Sequence, residues 1–164
     1  MARNRESQPL NPSLLDRLID DEPERTREPP KGQHQLLRDL KLSVRRDLEN
    51  LLNSRQRCRS WPDDLTDLEQ SLMNYGTPDF AGINSGVLEE REKLRLTIER
   101  VIRQFEPRFK SVRVTLLENT DTMDRTLRFR IDAMLRLEPS PEPVVFDSQL
   151  EPSTASFTVK SHAS

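Results

Sequence analysis

Apolar residues recur at steps of three and four through most of the chain and then switch to alternate positions near its end. The first strong pattern runs from about Gln33 to Asn53. Leu37, Leu40, Val44, Leu48, Leu51 and Leu52 form a stripe that predicts an amphipathic helix. A shorter helix is predicted from Asp63 or Asp64 to Asn74, with Leu65, Leu68, Leu72 and Met73 on its apolar side. A third helix, capped by Asn84 or Ser85, runs to Phe105 on Leu94, Ile98, Val101, Ile102 and Phe105. Glu92, Arg95, Glu99 and Arg103 fall on its outer side as a charge ladder, worth only tenths of a kcal/mol per pair.

The period changes at Phe105-Glu106-Pro107-Arg108-Phe109. Pro107 disfavours helical angles at Glu106 and removes a backbone donor, so the helix stops there. Beyond it, Val112, Val114 and Leu116 alternate with Arg113, Thr115 and Leu117. The clearest strand follows. Leu127, Phe129, Ile131, Ala133, Leu135 and Leu137 face one way; Arg128, Arg130, Asp132, Met134 and Arg136 face the other. Pro139, Pro141 and Pro143 exclude a central strand from 138–143. Shorter strands are expected over 144–148 and 156–160, both as sheet edges. Helices followed by strands predict an α+β fold: about three helices, then a four-stranded antiparallel sheet with the helices packed on one face.

Residues 1–32 are polar, charged and proline-rich, and read as a flexible extension. Within it, 12–19 is a short amphipathic island carrying Leu14, Leu15, Leu18 and Ile19. Two turns of helix are marginal alone, so the island needs a surface, either its own domain or a partner. Residues 33–160 form one domain, and 161–164 a tail. Trp61 reads as a lid on the core. Gly76, Gly82 and Gly86 do not have dinucleotide-fingerprint spacing.

Composition narrows the chemistry. Hydrophobic and charged residues each make up 33% of the chain, and the formal charge is −2, which gives no overall drive toward nucleic acid or an anionic membrane. Arg45, Arg46, Arg55, Arg57 and Arg59 cluster locally, ordinarily a solvated helix end and alternatively a phosphate-binding patch. The one cysteine, Cys58, points to a reducing compartment. Neither a membrane-spanning run nor a signal-peptide core is present, so a cytoplasmic location without direct membrane insertion is expected. His34 and His162 lack metal-ligand spacing, and no nucleophile elbow or phosphate loop occurs; no metal, cofactor or catalytic residue is assigned. Glu106 with Asp132 or Asp147 is the carboxylate pair that a hydrolase reading would test. The corner itself offers more. Glu106 and Arg108 flank a rigid proline, where they serve either as solvated charges or as a docking or core-anchoring pair.

Three features together resemble a known family. They are Leu14-Leu15-Asp16-Arg17-Leu18 before a proline-rich stretch; Leu51-Leu52-Asn53-Ser54-Arg55 followed by Asn74-Tyr75-Gly76-Thr77-Pro78-Asp79-Phe80; and Phe105-Glu106-Pro107-Arg108 leading to Val145-Phe146-Asp147 and Phe157-Thr158-Val159. Over about residues 10–160 the chain resembles TssE, the small baseplate subunit of type VI secretion systems, and is similar to the small wedge protein of contractile phage tails. Phe109 stands where the family usually carries Leu. The resemblance implies a structural, non-enzymatic role, although phage relatives were once named lysozymes. It implies docking on the wedge subunits TssF and TssG, with TssK, the sheath subunits TssB/TssC and the spike VgrG nearby. One copy per wedge, six per baseplate, would be recruited to the inner face of the inner membrane. It assigns partner binding to Glu106, Pro107, Arg108, Leu14, Leu15 and Leu18, and sheath templating to an open sheet edge. A peptidoglycan hydrolase and a nucleic-acid or regulatory adaptor are the alternatives.

Overall fold

The computed structural model describes residues 14–19, 24, 32–57, 62, 64–69, 71–80, 86–119, 125–138 and 140–161. Among the described residues four helices, α1 (Leu14–Leu18), α2 (Gln33–Asn53), α3 (Thr66–Glu69) and α4 (Leu88–Phe105), precede four strands, β1 (Phe109–Leu117), β2 (Leu127–Leu135), β3 (Glu142–Glu151) and β4 (Ser156–Ser161). A 3₁₀ turn spans Leu72–Asn74. The strands form one antiparallel meander in the order β1-β2-β3-β4.

The expected periodicities place the core. Val44, Leu48, Leu51 and Leu52 of α2 and Leu94, Ile98, Val101 and Ile102 of α4 are buried. They lie against Phe129, Ile131, Leu135, Phe146, Phe157 and Val159 of the sheet. α4 runs along β1 and α2 along β4, so the two helices cover one face from opposite sides. On the other face Arg130 and Asp147 are paired through the register and by a 3.3 Å hydrogen bond.

Three expectations need correction. Residues 144–148 are not an edge: β3 extends over ten residues between β2 and β4. A meander leaves only its first and last strands at the margins, whatever their lengths. Pro143 lies inside β3, opposite Met134, beyond the stretch of β3 that β4 pairs. With one flank unpaired, a missing backbone donor is tolerated there. The second helix is also broken. α3 has four residues, and the following turn is capped by Ser71, whose Oγ accepts from Met73 N–H at 3.2 Å. A side chain that bonds its own backbone competes with helix continuation. Leu65, Leu72 and Met73, expected to be buried, are exposed. Trp61 and the expected caps Asn84 and Ser85 lie outside the described residues.

Candidate functional site

The corner after α4 is built from the end of the helix outward. Glu106 N–H still donates to Ile102 O at 2.9 Å, but Glu106 has left helical angles, with φ −114° and ψ 84°. Its side chain turns inward, and the residue is 5% exposed. A buried carboxylate needs a charged partner, and Arg108 supplies it as a fork. Arg108 Nε donates to Glu106 Oε1 at 2.6 Å and its Nη2 donates to Oε2. The Arg108 backbone N–H adds a third bond to Oε1 at 3.2 Å. Pro107 between them is exposed.

The fork continues into α2. Arg108 Nη2 also donates to Asp47 Oδ2 at 2.8 Å. Asp47 Oδ1 accepts from Arg46 Nη2 at 3.3 Å, and Arg46 Nη2 reaches Asp16 Oδ1 of α1 at 2.7 Å. Asp16 Oδ2 accepts from Ser43 Oγ at 2.6 Å. The signs alternate along the chain Glu106, Arg108, Asp47, Arg46, Asp16, so each charge has an opposite neighbour. Burial works against the Arg108 charge, yet its bonds to Glu106 and then Asp47 outweigh that and raise its pKa above the ordinary arginine value. The Asp16 hydrogen bond likewise raises Arg46. Tyr75 lies beside this network, its ring edge-on to Phe105 with centroids 5.3 Å apart. Burial first, then the Asp47 and Glu106 charges, raise its phenol, against an opposing effect from Arg108.

The same network positions α1. Its polar residue Asp16 is bonded to α2, while Leu15 and Leu18 are exposed, Leu18 by 81%. Two groups of residues singled out in the sequence, the island and the corner, are thus joined through one side of α2. Arg46, named above only as part of a basic cluster, joins them together with Asp47 and Ser43, which carry no signal in the sequence. Arg45-Arg46-Asp47 reads locally as a mixed-charge helix surface, and nothing in that spacing says which charge points to a residue 61 positions away.

A second constellation explains the middle motif. Gly76 has φ +108°, and a Cβ there would stand 2.6 Å from Ser54 O, so α2's end and the 74–80 segment meet only over a glycine. Thr77 N–H donates to Ser54 O at 2.8 Å, and Gln56 N–H to Thr77 O at 2.9 Å. Arg55 Nη1 donates to the buried Thr77 Oγ1 at 2.9 Å, and Arg55 Nη2 to Ala155 O in the β3–β4 turn. Arg45, Arg46 and Arg55 of the basic cluster therefore all hold acceptors within the chain.

The carboxylate pair tested by a hydrolase reading is not assembled as such. Both Glu106 oxygens accept from Arg108. Asp147 accepts from Arg130 on the sheet face away from the helices, and Asp132 lies on that same face between buried Ile131 and Ala133. Among the described residues, no group of three His, Cys, Asp or Glu is arranged to hold a metal ion, and no helix is long and apolar enough to cross a membrane.

The family model described as baseplate wedge protein gp25 matches residues 38–140. That span holds Arg46, Asp47, Glu106 and Arg108 and ends before β3 and β4. Comparison with curated proteins gives no match. Among solved structures, a chain of the baseplate complex from the type VI secretion system is similar at 20% identity and a TM-score of 0.47, over 70% of this chain and 96% of that one.

Proposed function

This chain belongs to the family of the baseplate wedge protein gp25, and from that premise we propose that it is a structural, non-enzymatic subunit of a type VI secretion baseplate. It docks on the wedge subunits TssF and TssG, near TssK, VgrG and the sheath subunits TssB/TssC, as one copy per wedge. It is recruited with the assembled baseplate to the inner face of the inner membrane. The observation that carries this reading is the family match across α2, α4, β1 and β2, which spans the whole Glu106–Arg108–Asp47 corner.

The geometry suggests how docking works. Glu106 and Arg108 hold the corner's shape from within, and Pro107 is what the corner presents. α1, bonded to α2 through Asp16, presents Leu15 and Leu18. A prearranged surface loses less entropy on association. Strands added at a sheet margin, once the helix side chains bonded to it give way, would help template the first sheath ring through main-chain hydrogen bonds.

Co-purification of the tagged full chain with TssF and TssG tests the reading. Leu15→Ser with Leu18→Ser should weaken co-purification and leave thermal melting unchanged, since both side chains are exposed. Arg108→Ala should lower both, because it strands buried Glu106. Retention of both wedge subunits by the double serine variant would remove α1 from the docking surface. Failure of the unaltered chain to retain either, or clearing of a peptidoglycan suspension by it, would overturn the function.

A further inference from the structure

An antiparallel meander ends in two strands whose outward N–H and C=O groups are available to any extended chain. Here both margins are closed by helix side chains. At β1, Arg95 Nη1 donates to Val114 O at 2.9 Å, Val114 N–H donates to Glu99 Oε2 at 3.1 Å, and Arg103 Nη2 donates to Val112 O at 3.2 Å. These three side chains are tied to one another through Glu99, at 3.1 and 2.8 Å. At β4 the closure is lighter. Asn53 Nδ2 donates to Phe157 O at 2.9 Å and Asn53 Oδ1 accepts from Phe157 N–H at 2.8 Å, the reciprocal pair that a strand residue would make. Arg45 Nη1 donates to Val159 O at 3.0 Å.

We propose that Asn53 is a latch on a strand-pairing edge, and that the occupant it keeps out is a second copy of this chain, paired antiparallel through β4. The outward groups of Phe157 and Val159 require outward residues to face outward residues, which the register centred on Val159 satisfies. Val159 pairs with Val159 of the second copy, Phe157 with its Ser161, and Thr158 with its Lys160. No like charges oppose each other in that register, and Phe157 and Val159 of both copies keep their side chains in the core. β4 is thus self-complementary once unlatched. The β1 margin differs, since opening it requires breaking an ionic ladder. The inference stands without the baseplate reading, but serves it: a subunit used singly must not pair with its copies before assembly.

Sedimentation of the full chain tests the latch. The unaltered chain should remain monomeric, and Asn53→Ala should approach twice the apparent mass as concentration rises. Adding Thr158→Lys, an exposed position, places lysines opposite both copies' Lys160 and should weaken that dimer about tenfold. Amide exchange at Phe157 should be slow in the unaltered chain and fast in dilute Asn53→Ala. If Asn53→Ala does not fold, Asn53→Asp, which loses the bond to Phe157 O and keeps only the one from Phe157 N–H, is judged by the same criteria. An unaltered chain that dimerises through β4, a folded latch variant that stays monomeric, or a dimer indifferent to Thr158→Lys would each overturn the proposal.

Discussion

Single residues fix the points where segments must touch. Gly76 joins the end of α2 to the 74–80 segment at a φ of +108°, with Ser54 O where a Cβ would go. Gly76→Ala should cost about 1–3 kcal/mol, read as a lower denaturant midpoint, whereas an alanine at Gly32, which has open space around it, should cost much less. Ser148 is the opposite case. It is 1% exposed, opposite Phe129 and Val159, and its Oγ has no hydrogen-bond partner among the described residues. An unpaired buried hydroxyl carries its desolvation cost without return, so Ser148→Ala should raise the melting temperature; a lower one would show that the hydroxyl is bonded. Tyr75 reports on the corner. As the only tyrosine, its phenol can be followed by ultraviolet absorbance alone. Burial and the nearby Asp47 and Glu106 charges raise its pKa, so its midpoint should lie above the ordinary value of about 10, and Asp47→Asn should lower it. The folded state holds this proton more tightly than the unfolded one. Its stabilising contribution is therefore complete below the unfolded pKa and is lost as pH rises through the folded one.

At the scale of elements, β2 separates core from surface most sharply. Its burial alternates strictly over nine residues, with Ile131 fully buried and Arg130 on the opposite face beside Asp147. Ile131→Ala should cost about 2–5 kcal/mol. Arg130→Ala, which breaks a partly exposed pair, should cost under about 1 kcal/mol. Equal losses in a denaturant titration would contradict the face assignment. α4 shows why an outer charge ladder is more than solvation. Arg95, Glu99 and Arg103 follow helical spacing, but their free ends reach the backbone of β1. α2 does the same for β4 through Arg45 and Asn53. Each long helix therefore buries one side in the core and uses its flank to close a sheet margin.

At the scale of the whole molecule, the two helices make a roof whose outer corner is locked by alternating charges. Asp47 is central to that lock, between Arg108 and Arg46. Asp47→Asn should cost about 1.5–3 kcal/mol, the range for hydrogen bonds to charged groups, with Glu106 still paired to Arg108; no loss in thermal or denaturant unfolding would reduce Asp47 to a bystander. The sequence by itself determined the helical stripes of α2 and α4, the break at Pro107 and the alternation of β1 and β2. Those features depend on residues two to four positions apart, and the chain's local geometry reads them directly. It also carried the corner, because Pro107 and the Glu106–Arg108 fork act within two residues of themselves, whereas Gly76 matters through Ser54, far back along the chain. Only the tertiary structure decided that β3 is interior, since strand order depends on pairing between segments rather than on the length of any one. It alone selected Asp47 for Arg108 and Asn53 for Phe157, 61 and 104 residues apart. Along the sequence one acid or amide on a polar helix surface is equivalent to the next, and only proximity in the folded chain makes one of them the partner.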